Sequence, residues 1–199
     1  MTSCLAISGA QHARLAKHLL PPDGREAAAI LLCATDGTDA PSLFVRQILP
    51  VPYDACRVRE PDLIIWPGAD LAAAQEVAED EGLTIVLAHS HPGGFFDFSH
   101  TDDVSDAEVM RHLFQGWCGQ PPAAIGSAIM VPGGAMRARV YSAEGERRNL
   151  TVRVAGDDIR HFHPNGDGRV AIMAFGDKMT AELGRRTACV IGVSGTGSI

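Results

Sequence analysis

The sequence has little of what nucleic-acid and membrane proteins are built from. Lys and Arg number 17 against 24 Asp and Glu, for a net charge of −7, and aromatic residues make up only 6%. There is no basic run. Neither nucleic acid nor an anionic membrane fits such a chain as its main partner. No apolar run reaches the roughly 20 residues that a membrane span needs. The N-terminus, "MTSCLAISGAQHARLAKHLL", has no basic flank followed by an apolar stretch, so it does not read as a signal peptide. Cys4, Cys33, Cys56, Cys118 and Cys189 are odd in number and widely spaced, with no C-x-x-C. Reduced, mostly buried thiols in a cytoplasmic protein are the expectation. H-E-x-x-H is absent. So is the pairing of H-x-E with P-C-x-x-C that marks a zinc deaminase.

What is present is 199 residues, 46% hydrophobic and 21% charged. That is enough for one domain with a full core, or one domain and a fragment. Apolar residues at helical spacing predict an amphipathic helix over 11–20, after a short lead and ended by Pro21 and Pro22. "REAAAILLCAT" and "SLFVRQILPVP", separated by the turn residues of "DGTDAP", predict a hairpin. "PDLIIWP" predicts a short strand. "ADLAAAQEVAEDEG" predicts a helix stopped by Gly82. "LTIVLAHSHP" predicts a buried strand. "TDDVSDAEVMRHLFQGW" predicts a helix capped by Thr101 or Asp102. Three further strands follow in "AAIGSAIMVPG", "AMRARVYSA" and "NLTVRVAG". The sum is α+β, a mixed β-sheet sandwiched between helices.

Chemistry concentrates in "HSHPGGFFDFSHTDD", residues 89–103. His89 and His91 are two apart at the end of a predicted strand, so their side chains share a face and converge. Ser99 and Asp102 follow after a glycine turn. Two histidines and a carboxylate make a three-ligand set for Zn²⁺ that leaves a fourth position for water, the catalytic arrangement. Hydrolysis also needs a base and an oxyanion donor. Ser99 can donate. Glu26, a lone acid at the head of an apolar strand, is the candidate base, because a carboxylate there is costly without a task or a partner.

Together these residues resemble the JAMM (MPN+ or JAB) metalloprotease motif. The specific match is Glu26 and residues 89–102, within an organisation similar over residues 1–155. The resemblance implies a cytidine-deaminase-like/JAB architecture and a zinc-dependent isopeptidase or peptidase. It implies His89, His91 and Asp102 as zinc ligands, Glu26 as general base and then acid, and Ser99 as oxyanion donor. The implied partner is the C-terminal tail of a ubiquitin-like or sulfur-carrier protein, with E1/E2-like proteins of the same pathway beside it. Two alternatives stand: a zinc hydrolase of small amides or peptides, and a non-catalytic MPN-type scaffold. Such scaffolds usually lack the ligands.

Other candidates have plainer readings. "HFHP", residues 161–164, repeats the His-x-His-Pro core but has Ala171 and Ala174 where Ser and Asp should follow, so its histidines are expected in a linker. His100 and His112 are expected to be solvated. Asp97, Asp103 and Asp106 are expected to be surface or capping acids, and Trp66 and Trp117 core residues. Phe95, Phe96 and Phe98 are either local packing or an apolar wall for an extended substrate tail.

Residues 156–170 are polar and turn-rich and are expected to be a linker. Residues 171–199 turn apolar again and end in "RRTACVIGVSGTGSI". A strand running into Gly192, Gly195 and Gly197 resembles the opening of the ThiF/E1-like adenylating fold. The expectation is a truncated start of such a domain, too short to bind ATP, in a fragment of a longer protein.

Overall fold

The computed structural model describes residues 3–38, 41–166 and 168. Along the chain these form β1 (Cys4–Ser8), α1 (Gly9–Leu19), β2 (Ala28–Thr35), β3 (Leu43–Pro50), β4 (Val58–Glu60), β5 (Leu63–Ile65), α2 (Gly68–Glu81), β6 (Thr84–Ser90), α3 (His100–Gly116), β7 (Ile125–Met130), β8 (Met136–Tyr141), β9 (Arg147–Ala155) and β10 (Ile159–Phe162). A single sheet takes all but β4 and β5, in the order β1-β3-β2-β6-β7-β8-β9-β10. It is mixed: β1 runs parallel to β3 and β6 parallel to β7, while β2 is antiparallel to both its neighbours. Leu5 and Ala6 of β1 pair with β3 on one edge and β9 on the other, so the sheet curls shut.

β2 shows why helices cover both faces. Its first six residues are all buried. A strand apolar on both sides requires a layer on each. Ala29, Leu31 and Cys33 join the cluster that holds Leu15 and Leu19 of α1. Ile30 and Leu32 join the one that holds Ala74 and Ala78 of α2 and Met110 and Leu113 of α3. The alternation of a strand thus sorts one apolar run into two cores.

Three local features differ from expectation. The lead before α1 is itself a strand, and Ser8 at its end caps α1 with the side chain of Gln11 reaching back. "PDLIIWP" is the second arm of a small hairpin, β4 with β5, separate from the main sheet. The polar segment after residue 155 starts with β10, antiparallel to β9. That strand buries only Phe162 and exposes Ile159, too little apolar periodicity to be read from four residues. Residues 171–199, read as an adenylating-domain start, lie outside the described residues, as does Cys189. The other four cysteines are free thiols. Among the described residues, no helix is long and apolar enough to cross a membrane.

Candidate metal centre and active site

Strand register brings the base to the histidines. Ala28 of β2 pairs with His89 of β6. One step further, the Ser90 N–H donates to the Ala27 carbonyl at 3.0 Å, and the Ala27 N–H donates to Ser90 Oγ at 3.0 Å. The next position on β2's side is Glu26, which falls across from His91. The Glu26 N–H is itself held by the Glu60 carbonyl on β4 at 2.9 Å. Ser90, fully buried, points away from the histidines and was not singled out by its residue type. Its place between the two histidines was the available signal.

Asp102 arrives from the opposite side on α3. The cap of that helix is Ser99, not Thr101 or Asp102 as the sequence suggested. Ser99 Oγ accepts the Asp102 N–H at 3.1 Å, and the Ser99 N–H donates to Asp102 Oδ2 at 2.6 Å. This reciprocal box satisfies two amides that a helix start leaves orphaned. It also locks the carboxylate's orientation. Among the described residues, no acceptor takes the Ser99 hydroxyl proton, which stays available to donate.

The three side chains meet at a point. His89 Nε2 and His91 Nε2 are 3.0 Å apart. Asp102 Oδ1 lies 3.2 Å from His89 Nε2, and Oδ2 lies 3.3 Å from His91 Nε2. Donors bound to a tetrahedral zinc ion at about 2.0–2.1 Å stand roughly 3.3–3.4 Å from one another. The donor set therefore fits zinc in type and in spacing. His91 Nδ1 donates to the Phe95 carbonyl at 2.8 Å. A carbonyl only accepts, so that contact places the proton on Nδ1 and turns the Nε2 lone pair toward the shared point.

Electrostatics separate the two carboxyls. Burial pushes Glu26 up from 4.5 to about 7, against the pull of His89 and His91. Burial acts the same way on Asp102, but hydrogen bonds with His89 and His91 outweigh it and hold this carboxyl well below the usual range. For His91, burial opposes the charge, but in the metal-free protein the protonated ring's hydrogen bonds to Asp102 and the Phe95 carbonyl, with the negative charges of Asp102 and Glu26, together exceed that penalty, so its pKa rises. An ionised Asp102 beside a Glu26 that gains and loses its proton around neutral pH is the division of labour that a ligand and an acid–base group need.

Glu26, His89, His91, Ser99 and Asp102 all line one cavity of about 570 Å³. All five predicted site residues are thus brought together. Residues 9–144 match the family described as prokaryotic homologs of the JAB domain. The chain belongs to that family. The solution structure of protein DSY2949 from Desulfitobacterium hafniense is similar in fold, at a TM-score of 0.53 and 14% identity over 77% of this chain and 94% of that one. The JAB1/MPN domain protein AF2198 from Archaeoglobus fulgidus matches at 16% identity over 75% and 98% of the two chains, with a TM-score of 0.36. A structure described as "JAMM: a metalloprotease-like zinc site in the proteasome and signalosome" matches at 15% identity over 75% and 98%, with a TM-score of 0.31. Scores that low carry no weight for the fold. A comparison with curated proteins finds no match.

The far walls of this JAB domain's cavity are apolar: Leu63 and Ile65 of β5, Trp66, Leu71 of α2, Leu87 of β6 and Val109 of α3. Trp66, expected in the core, packs on the α2–α3 cluster and also faces the cavity. Of the three loop phenylalanines only Phe95 lines it, 58% exposed. Phe96 and Phe98 lie instead under the guanidinium groups of Arg137 and Arg139. Asp106 is not a surface acid. It is buried on α3 and bound by Arg139, a residue the sequence reading passed over. His100 is exposed at the first position of α3. His161 sits in β10, stacked 6.1 Å from His163.

Proposed function

We propose that this chain is a zinc metallopeptidase that hydrolyses the amide bond at the C-terminal tail of a ubiquitin-like or sulfur-carrier protein. One observation carries the reading: three metal-type donors 3.0–3.3 Å apart, in the same cavity as a carboxyl raised to about 7. Zinc, when bound by His89, His91 and Asp102, supplies Lewis acidity and makes water acidic enough to react near neutral pH. Glu26 takes the proton of the attacking water on its carboxylate and returns it to the leaving amine. Ser99 donates its O–H to the oxyanion, while its Oγ stays anchored by the Asp102 amide. The Phe95 carbonyl holds His91 in its tautomer.

The apolar walls and the outer edge of β5, which pairs with no strand among the described residues, support an extended peptide as the occupant, with backbone hydrogen bonds on one side and side chains against Leu63, Ile65 and Phe95. E1/E2-like proteins of the same pathway, a ThiF/E1-like unit over residues 171–199, a cytoplasmic setting and a deaminase-like arrangement of the layers belong to the same proposal. The cavity's size, about 570 Å³, also suits a small amide or short peptide. Incubating the zinc-loaded chain with linear fusions of ubiquitin-like proteins and with short peptides decides among these readings. Cleavage of fusions alone, abolished by Glu26→Gln, is expected. Cleavage of peptides alone supports the small-amide reading. No cleavage of either leaves a non-catalytic scaffold.

A further inference from the structure

Arg139 of β8 is 2% exposed, and no step proposed above uses it. Its guanidinium reaches across to the start of α3. Nη1 donates to Asp103 Oδ1. Nη2 and Nε donate to Asp106 Oδ2 at 2.6 and 2.9 Å. The same oxygen accepts the Ser127 hydroxyl of β7 and, at 3.2 Å, the Tyr141 hydroxyl of β8. Arg147 meets Asp103 from outside at 2.9 Å, so two arginines balance two aspartates. The face of the guanidinium lies 3.6 Å from the centre of the Phe98 ring.

These contacts bracket the active-site pair in sequence. Phe98 precedes Ser99, and Asp103 follows Asp102. Asp106 is one helical turn beyond Asp102 and lines the same cavity. We propose that Arg139 is a positioning residue: by gripping Phe98, Asp103 and Asp106 it fixes the first turn of α3 against β7 and β8, and so sets where Ser99 and Asp102 stand relative to His89 and His91. Backbone amides at a helix start move with the helix. A shift of that turn would separate the Asp102 carboxylate from both imidazoles at once. Lysine cannot replace the fork, because a point charge neither spans two carboxylates nor stacks flat on a ring. The inference rests on the proposed metal site.

The test compares wild type with Arg139→Lys, Asp103→Asn, and the apolar pair Arg139→Met with Asp106→Leu. The pair removes the charges together and so avoids an uncompensated buried carboxylate. Zinc affinity is measured by chelator competition at a temperature where each variant is folded by circular dichroism. Loss of a group that orients ligands lowers metal affinity about 10–100-fold. Arg139→Lys and the apolar pair are expected in that range, with Asp103→Asn weaker in effect. A Ser99→Ala, Arg139→Lys double-mutant cycle on cleavage adds a second readout. If Arg139 acts through Ser99, the two losses do not add, whereas a general structural effect adds. Wild-type zinc affinity in the folded variants, with additive losses, overturns the inference and leaves the metal site standing. Absence of zinc binding by wild type overturns the metal site itself, and the inference with it.

Discussion

Glu26→Gln should make the metal-free protein more stable, increasingly so as pH rises. Glu26 is 6% exposed, and burial lifts its pKa from 4.5 to about 7. The folded state therefore holds its proton more tightly than the unfolded chain does. The stabilisation linked to that proton is complete below pH 4.5 and is lost as pH rises through about 7. A shift of this size corresponds to about 3 kcal/mol, of which about 2–3 kcal/mol falls between pH 5 and pH 8. Glutamine keeps the shape and cannot ionise. Any cost of burying its amide is independent of pH and cancels when the two pH values are compared. The assay is urea unfolding of chelator-treated wild type and variant at pH 5, 6.5 and 8. The gap between the two proteins should widen toward alkaline pH by that amount, and should shrink again when zinc is added, because a nearby cation favours the carboxylate. Parallel stability curves across this range would refute the placement of Glu26 in a water-poor site beside the ligands.

Other consequences are as direct. Ser99→Ala should lower kcat about 100- to 1,000-fold through the lost oxyanion donor. It should also remove about 1 kcal/mol of stability through the lost cap, and Ser99→Thr should restore the stability; unfolding and steady-state kinetics separate the two effects. Phe95→Ala should raise KM for a ubiquitin-like fusion more than it lowers kcat, since Phe95 lines the cavity and is 58% exposed. Gly126→Ala should destabilise the fold by about 1–3 kcal/mol, because a Cβ there would stand 2.8 Å from the Arg139 carbonyl oxygen; a melting temperature within error of wild type would show that β8 can give way.

The part of the site that was legible in the sequence is the part encoded at short range. His89 and His91 are two apart on a strand, so strand alternation implies their convergence, and Ser99 and Asp102 stood out by their spacing from the histidines, although the cap that joins them at the start of α3 was expected two or three residues later. Glu26 was legible because an acid beside "AAAILLC" is conspicuous, and the β2–β6 register then carries it to the histidines. What could not be read is what long-range packing decides. Arg139 and Asp106 are 33 residues apart, and nothing in either local pattern reports a buried ion pair. Phe95, Phe96 and Phe98 look alike in sequence, yet one faces the cavity and two lie beneath arginines of β8. β1 was hidden in five residues before a strong helix signal. β10 was hidden in a polar segment that needs only Phe162 to be held against the sheet.

The measurement closest to the central claim is zinc stoichiometry and affinity at pH 7.5, for wild type and for Asp102→Ala. His89, His91 and Asp102 are the one metal-type cluster found among the described residues. Wild type should bind one zinc per chain, and Asp102→Ala should lose it while remaining folded. A wild-type chain without stoichiometric zinc, or a variant that keeps it with equal affinity, would contradict the account.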